Sequence, residues 1–160
     1  MRVTVDMANS VGIIQLSDAI KILGVTLDSS LTMDPHTKAL SKSCFYYLRS
    51  FKQIRCSMDY PMAVSVASAL VSSRLDYANS VLVGCPQQHT ARPQRAQHAL
   101  TRVVTRQSTR FSPLTSIDLL EKLHWLPIDW RIRFKLASSA YKAIHTDNPL
   151  YLTDLLHHHK

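Results

Sequence analysis

The sequence predicts a mainly α fold in which an N-terminal β-hairpin or small antiparallel sheet precedes a bundle of about five helices. Three observations carry this. The first 28 residues break into short runs rich in Val, Ile and Thr, whereas apolar residues beyond Asp34 recur every three or four positions. Prolines stand where helices start or stop, at Pro35, Pro61, Pro86, Pro113, Pro127 and Pro149. Of the 160 residues 46% are hydrophobic, with three glycines and no serine- or glycine-rich linker, so the apolar content suffices for one core.

In the first quarter, Arg2 to Asp6, Val11 to Leu16 and Ile20 to Asp28 read as strands, with Asn9, Ser10, Gly12 and Asp18 as the turn-prone residues around them. Two or three short strands do not hold a sheet alone in water. The sheet is therefore expected to pack on helices or on something outside this chain.

Asp34-Pro35 reads as a helix start, the Asp accepting from free amides and the Pro suited to the first turn. Leu40, Cys44, Tyr47, Leu48, Phe51 and Ile54 then share one face at about 100° per residue. Lys38, Lys42, Arg49 and Lys52 fall on the opposite one, with Phe45 among them and Tyr46 beside them. A second helix is expected from Asp59-Tyr60-Pro61 to Leu82, ended by Gly84-Cys85-Pro86. A third, Gln88 to Arg106, gathers Arg92, Arg95, Arg102 and Arg106 in an arc of about 80° beside the apolar Ala96, Leu100, Val103 and Val104. Pro93 fits that helix only in its first turn.

After Ser112-Pro113, a short helix from Ser116 to Leu123 precedes a longer one opened by Pro127. There Trp130, Phe134, Ala137, Tyr141 and Ile144 form one apolar face, and Ile132, Leu136 and Ala143 another. This is the pattern of a core helix covered on two sides. Asn148-Pro149 stops it, and Leu150 to Leu156 is a terminal apolar segment.

The formal net charge of +8 is concentrated. Residues 41–110 hold ten basic and two acidic side chains, against three and four in residues 1–40 and six and five in residues 111–160. Such a localised positive surface attracts polyanions. Cys44, Cys56 and Cys85 are odd in number and lack C-x-x-C spacing, which argues against a disulfide framework or a zinc ribbon and for a reduced, intracellular chain. The opening MRVTVDMANS lacks a secretory apolar run, and no stretch approaches the ~20 apolar residues of a membrane helix. The expected location is the cytoplasm, the nucleus or both, without secretion and without a membrane partner.

The basic stripes are the strongest functional signal, because Lys and Arg aligned along a helix neutralise successive phosphates and release counterions. The plain alternative is a solvated face, yet almost no acidic residues alternate with the basic ones. Phe45 and Tyr46 are candidates for stacking on sugars or bases, although an aromatic on a helix is more often buried. Tyr77-Ala78-Asn79-Ser80 sits where a polymerase metal box of the Tyr-Ala-Asp-Asp kind would need two carboxylates. Asn and Ser do not supply the anionic oxygens of two-metal phosphoryl transfer. Arg74, Asp76 and Tyr77 read instead as a polar cluster at a helix end. No G-x-S-x-G or phosphate-cradling glycine loop is present, and Cys44 lies on an apolar face where a thiol is inert packing. The consecutive His157, His158 and His159 rarely converge on one ion. No catalytic residue, metal or cofactor is expected.

Four stretches together resemble one known family: Ile20-Lys21-Ile22-Leu23-Gly24-Val25-Thr26-Leu27-Asp28, Ser72-Ser73-Arg74-Leu75-Asp76-Tyr77-Ala78-Asn79-Ser80, Gln94-Arg95-Ala96-Gln97 and Leu123-His124-Trp125-Leu126-Pro127-Ile128. In order and spacing they are similar to the C-terminal part of the reverse transcriptase of non-LTR retrotransposons, the jockey-like and chicken-repeat-like LINE elements, over about Ile13 to Leu156. The resemblance implies palm-end strands with a primer-grip hairpin in residues 1–33, a helical thumb-like bundle in 34–111 and post-thumb helices in 112–160, as one unit. It makes Leu23 and Gly24 the remnant of the primer grip, and places the family's catalytic aspartates, fingers and most of the palm upstream of this segment. In that family the thumb holds the template–primer duplex by its backbone. Lys38, Lys42, Arg49, Lys52, Arg92, Arg95, Arg102 and Arg106 thereby become the candidate phosphate contacts. Val83 departs from a common Tyr, and Pro93 from a common Leu. The expectation is a non-catalytic fragment of a LINE-type RNA-directed DNA polymerase with weak, salt-dependent, sequence-independent binding of RNA or RNA–DNA hybrid. The alternative is a helical protein-interaction module with no nucleic-acid function, self-associating through the surface left by the missing palm.

Overall fold

The computed structural model describes residues 3–7, 10–14, 18–107, 113–146 and 148–153. The expected ends at Arg2, Leu16 and Leu156, the boundary between residues 111 and 112 and the three terminal histidines lie outside them.

The fold is mainly α with two β-hairpins at the N-terminus. Strand β1 (Val3–Met7) pairs antiparallel with β2 (Ser10–Ile14), and β3 (Ala19–Ile22) with β4 (Val25–Asp28). The run Ile20 to Asp28 is thus a hairpin and not one strand. It folds back at Leu23 and Gly24, both left-handed (φ 47° and 81°), a sense of twist that matches the flanking strands of a two-residue turn. Two two-stranded sheets form, and β4 rests on the first helix through buried Val25 and a Thr26 N–H that donates to His36 Nδ1 at 3.5 Å. Ile20 and Ile22 remain exposed.

Helix α1 spans Asp34–Ile54. Its start differs from expectation. Asp34 is already helical and Met33 takes a left-handed conformation, while the carboxylate of Asp28 reaches across to accept from Thr32 N–H and Met33 N–H (3.1 Å each) and from the Thr32 hydroxyl (2.8 Å). Asp28 thus holds the two amides just before the helix, and Asp34 pairs with Lys38 and Arg92. Cys44, Leu48 and Phe51 are buried as the spacing predicts, whereas Ile54 is exposed.

Asp59 caps α2 (Tyr60–Ala67) by accepting from Met62 N–H at 2.8 Å, and a wide π turn (Ser68–Ser72) joins it to α3 (Ser73–Asp76). The helical path stops at Asp76, short of the expected Leu82, because Tyr77 is extended and Ala78 left-handed. Helix α4 (Gln87–Thr105) carries Pro93 in its second turn and not its first. The ring is fully buried, so a core position overrides the loss of the N–H that would donate to the His89 carbonyl. Helix α5 (Ser116–Lys122) begins with a capping box in which Thr115 Oγ1 accepts from Asp118 N–H (3.2 Å) and Asp118 accepts from Thr115 N–H (2.6 Å). Helices α6 (Ile128–Thr146) and α7 (Leu150–Thr153) complete the described chain.

One cluster of buried side chains joins these elements, with Phe51, Val71, Leu75, Leu100 and Ile128 among its members. The central pair is α1 and α4, packed side by side and parallel. Helix α6 is not the doubly covered core helix its pattern predicts. Ile128, Ile132 and Ala143 are buried, but Trp130, Phe134, Ala137, Tyr141 and Ile144 face solvent because no described element lies over them. Among the described residues no helix is long and apolar enough to cross a membrane.

Candidate nucleic-acid interface

The α1–α4 pair is tied at both ends by arginines. At the N-terminal end, Asp34 accepts from Lys38 Nζ (2.6 Å) and from Arg92 Nη1. The Lys38 and Arg92 hydrogen bonds hold the Asp34 carboxyl below its usual range. Two of the eight cations expected to meet phosphate therefore share one carboxylate.

At the C-terminal end, Arg55 is buried and donates from Nε and Nη2 to the Val104 carbonyl (3.1 and 2.6 Å) and from Nη1 to the Met58 carbonyl (2.9 Å). Arg106, left-handed at the end of α4, returns the contact, its Nη2 lying 3.3 Å from the Arg55 carbonyl and 3.2 Å from that of Cys56. Each helix thus has its last carbonyls satisfied by an arginine that belongs to the other, as free C-terminal acceptors require. Sequence reasoning missed Arg55. The available signal was a basic residue four beyond Phe51, at a position that faces the core.

Lys52, Arg55, Arg102 and Arg106, with Ala99 and Val103, line a groove of about 600 Å³ at this end. Two helix C-termini contribute roughly half a negative charge each there, against four full positive ones, so the groove is strongly electropositive. Arg102 donates from Nη2 to Ser116 Oγ at 3.1 Å, while its Nη1 is buried without a partner.

Between the two ends, Lys42, Arg49 and Arg95 are exposed, and none pairs with a described carboxylate. On the about 100° rule the basic residues of α1 and of α4 each occupy an arc of about 80° on their own helix. The two stripes meet at the ends of the pair, Lys38 with Arg92 on Asp34 and Lys52 with Arg102 and Arg106 around the groove. Phe45 and Tyr46 are exposed on α1, Tyr46 edge-on to Tyr47 with ring centroids 5.3 Å apart.

Leu23 and Gly24 lie elsewhere, at the tip of the β3–β4 hairpin, where the Tyr77 hydroxyl donates to the Leu23 carbonyl at 2.7 Å. Arg74, Asp76 and Tyr77 do not form one cluster, because each is drawn to a different element. The Arg74 guanidinium stacks over Tyr47 at 3.8 Å, and Asp76 accepts twice from Arg131 Nη1 at 2.8 Å. Gln97 donates to the Leu126 carbonyl, and Gln94 accepts from Ile128 N–H, both at 2.8 Å. The four motif stretches are thus tied in pairs, the first to the second by an exposed hydrogen bond and the third to the fourth by two half-buried ones.

Among the described residues no three His, Cys, Asp or Glu side chains gather to hold a metal ion, and the three cysteines are free. Burial pushes the Cys44 thiol up to about 11, with nearby Arg74 opposing it. Compared with known proteins, the chain matches no family model, no curated protein and no solved structure.

Proposed function

We propose that this protein is a non-catalytic module that holds the phosphate backbone of RNA or RNA–DNA hybrid along the α1–α4 seam, as a thumb-like segment of a LINE-type reverse transcriptase would. The observation that carries the reading is the groove where Lys52, Arg102 and Arg106 converge from two helices, with exposed Lys42, Arg49 and Arg95 on the same two helices and paired with no described carboxylate. A backbone clasp of this kind reads no sequence. The resemblance supports the same reading independently of the geometry, and the reading assigns the chain no catalytic residue, metal or cofactor.

About five phosphate contacts give a salt slope of roughly −4 in log affinity against log salt. Filter binding of an RNA–DNA hybrid at low and moderate salt tests this. The combined replacement of Lys42, Arg49, Lys52 and Arg95 by Gln is expected to abolish most of the slope, whereas Lys38→Gln leaves it nearly unchanged because Asp34 already holds that cation. Salt-insensitive binding, or a slope that survives the fourfold variant, rules the reading out.

A further inference from the structure

Helix α6 is apolar on two faces, and among the described residues only one of them is covered. Its rear, through Ile128, Ile132 and Ala143, closes the core. Its front carries Trp130, Phe134, Ala137, Tyr141 and Ile144, spaced by four, three, four and three residues. Trp130 is 59% exposed, Phe134 64% and Tyr141 62%.

This spacing is the 3.5-residue period with which one helix lies lengthwise against another. A helix whose front faced only water would be polar there. The stripe runs over 15 residues from Trp130 to Ile144, about 21 Å or four turns at 1.5 Å per step. An aromatic side chain covers roughly 150–250 Å² when fully buried, and about 60% of each of these three is open, so they supply the apolar centre of one side of a small interface.

Charge decides what fits. Arg131, Arg133, Lys135 and Lys142 border the stripe, against Asp129 alone among acidic residues of α6. Arg131 and Lys135 are engaged with Asp76, by its carboxylate and its carbonyl respectively. Arg133, lying over Trp130 at 5.4 Å, and Lys142 remain as rim cations. A second copy of this chain would set those cations against like charge, whereas carboxylates flanking a partner's apolar stripe would meet them with opposite sign.

We propose that the front of α6 is the docking face for an acidic amphipathic helix of another protein, about four turns long and laid along Trp130 to Ile144. This face shares no residue with the α1–α4 seam and does not depend on nucleic-acid binding.

The test uses the full chain and two synthetic helical peptides with identical leucine stripes, one flanked by Glu and the other by Lys, followed by fluorescence anisotropy. The Glu peptide is expected to bind about tenfold or more tightly than the Lys peptide. Phe134→Ser with Tyr141→Ser should weaken it by about tenfold or more while the melting curve stays in place, since both side chains are exposed. Arg133→Glu with Lys142→Glu should reverse the preference between the peptides. Equal binding of the two peptides, or binding that survives the double serine variant, overturns the proposal. So does a concentration-dependent dimer abolished by that variant, which would make a second copy the occupant. A labelled single-stranded oligonucleotide that binds through Phe134 and Tyr141 while neither peptide does would equally overturn it.

Discussion

The Asp28 and His36 side chains join the β3–β4 hairpin to the start of α1, Asp34 ties that first turn to α4, and all three make the region sensitive to pH. For Asp28, desolvation works upward but the Thr32 and Met33 hydrogen bonds outweigh it, so its carboxyl, like that of Asp34, sits below the usual range. A carboxyl depressed in the fold lends stability that is complete above its unfolded value and is lost as pH falls through the folded one. His36 is shifted down by burial, and His98 by burial and then by Arg102. Their unfolded forms take a proton first, so the fold weakens as pH drops below the ordinary histidine value of 6.5. Urea midpoints measured from about pH 7 to about pH 5 should decline, and less steeply in His36→Gln. Arg55 adds to stability as well as to the charge of the groove. Arg55→Met strands the Val104 and Met58 carbonyls, a loss of about 2–3 kcal/mol readable from chemical denaturation. A loss below about half a kcal/mol would show that water replaces the guanidinium.

At the scale of elements, the bodies of α1, α4 and α5 were legible in the sequence because apolar periodicity is a local property. The end of the second helix was not. The stop at Asp76 depends on Tyr77 reaching Leu23 and on Arg131 reaching Asp76, contacts 54 and 55 residues apart that no local pattern reports. Asp34 makes no capping bond, and the turn before α1 is held instead by Asp28, a carboxylate that the hairpin delivers from outside the helix. Pro93 was read by backbone rules, yet burial in the core decided its place. The junction of α4 with the start of α6 rests on two glutamines. Gln97→Ala removes a fully buried side chain and its bond to the Leu126 carbonyl, and should destabilise the fold by about 2–4 kcal/mol in thermal or chemical melts. Gln88→Ala, on an exposed residue of the same helix, should change it by less than about 0.5 kcal/mol.

For the molecule as a whole, residues 41–110, where the charge is concentrated, take in most of α1 and all of α4, which pack on each other and bring Lys52, Arg102 and Arg106 to one groove. What the sequence hid was the division of labour among those cations. Lys38 and Arg92 are occupied by Asp34, Arg106 by backbone carbonyls, and Arg55 entered the groove unannounced. The thiols offer a direct check on the seam. Cys56 is exposed and lines the basic groove, Cys85 is half-buried and Cys44 fully buried. Maleimide should label Cys56 first, and saturating RNA–DNA hybrid should slow that labelling without slowing Cys85. Labelling of Cys56 at the same rate with and without hybrid would place the polyanion elsewhere.

The crossed arginines at the far end of α1 and α4 belong at once to the scaffold and to the charge that the scaffold displays. Heat or denaturant that frees them would let the two rods splay and thin the positive field in a single event, so the molecule should release its polyanion at the same temperature at which that end comes apart. In the other direction, a bound strand would act as a splint for it.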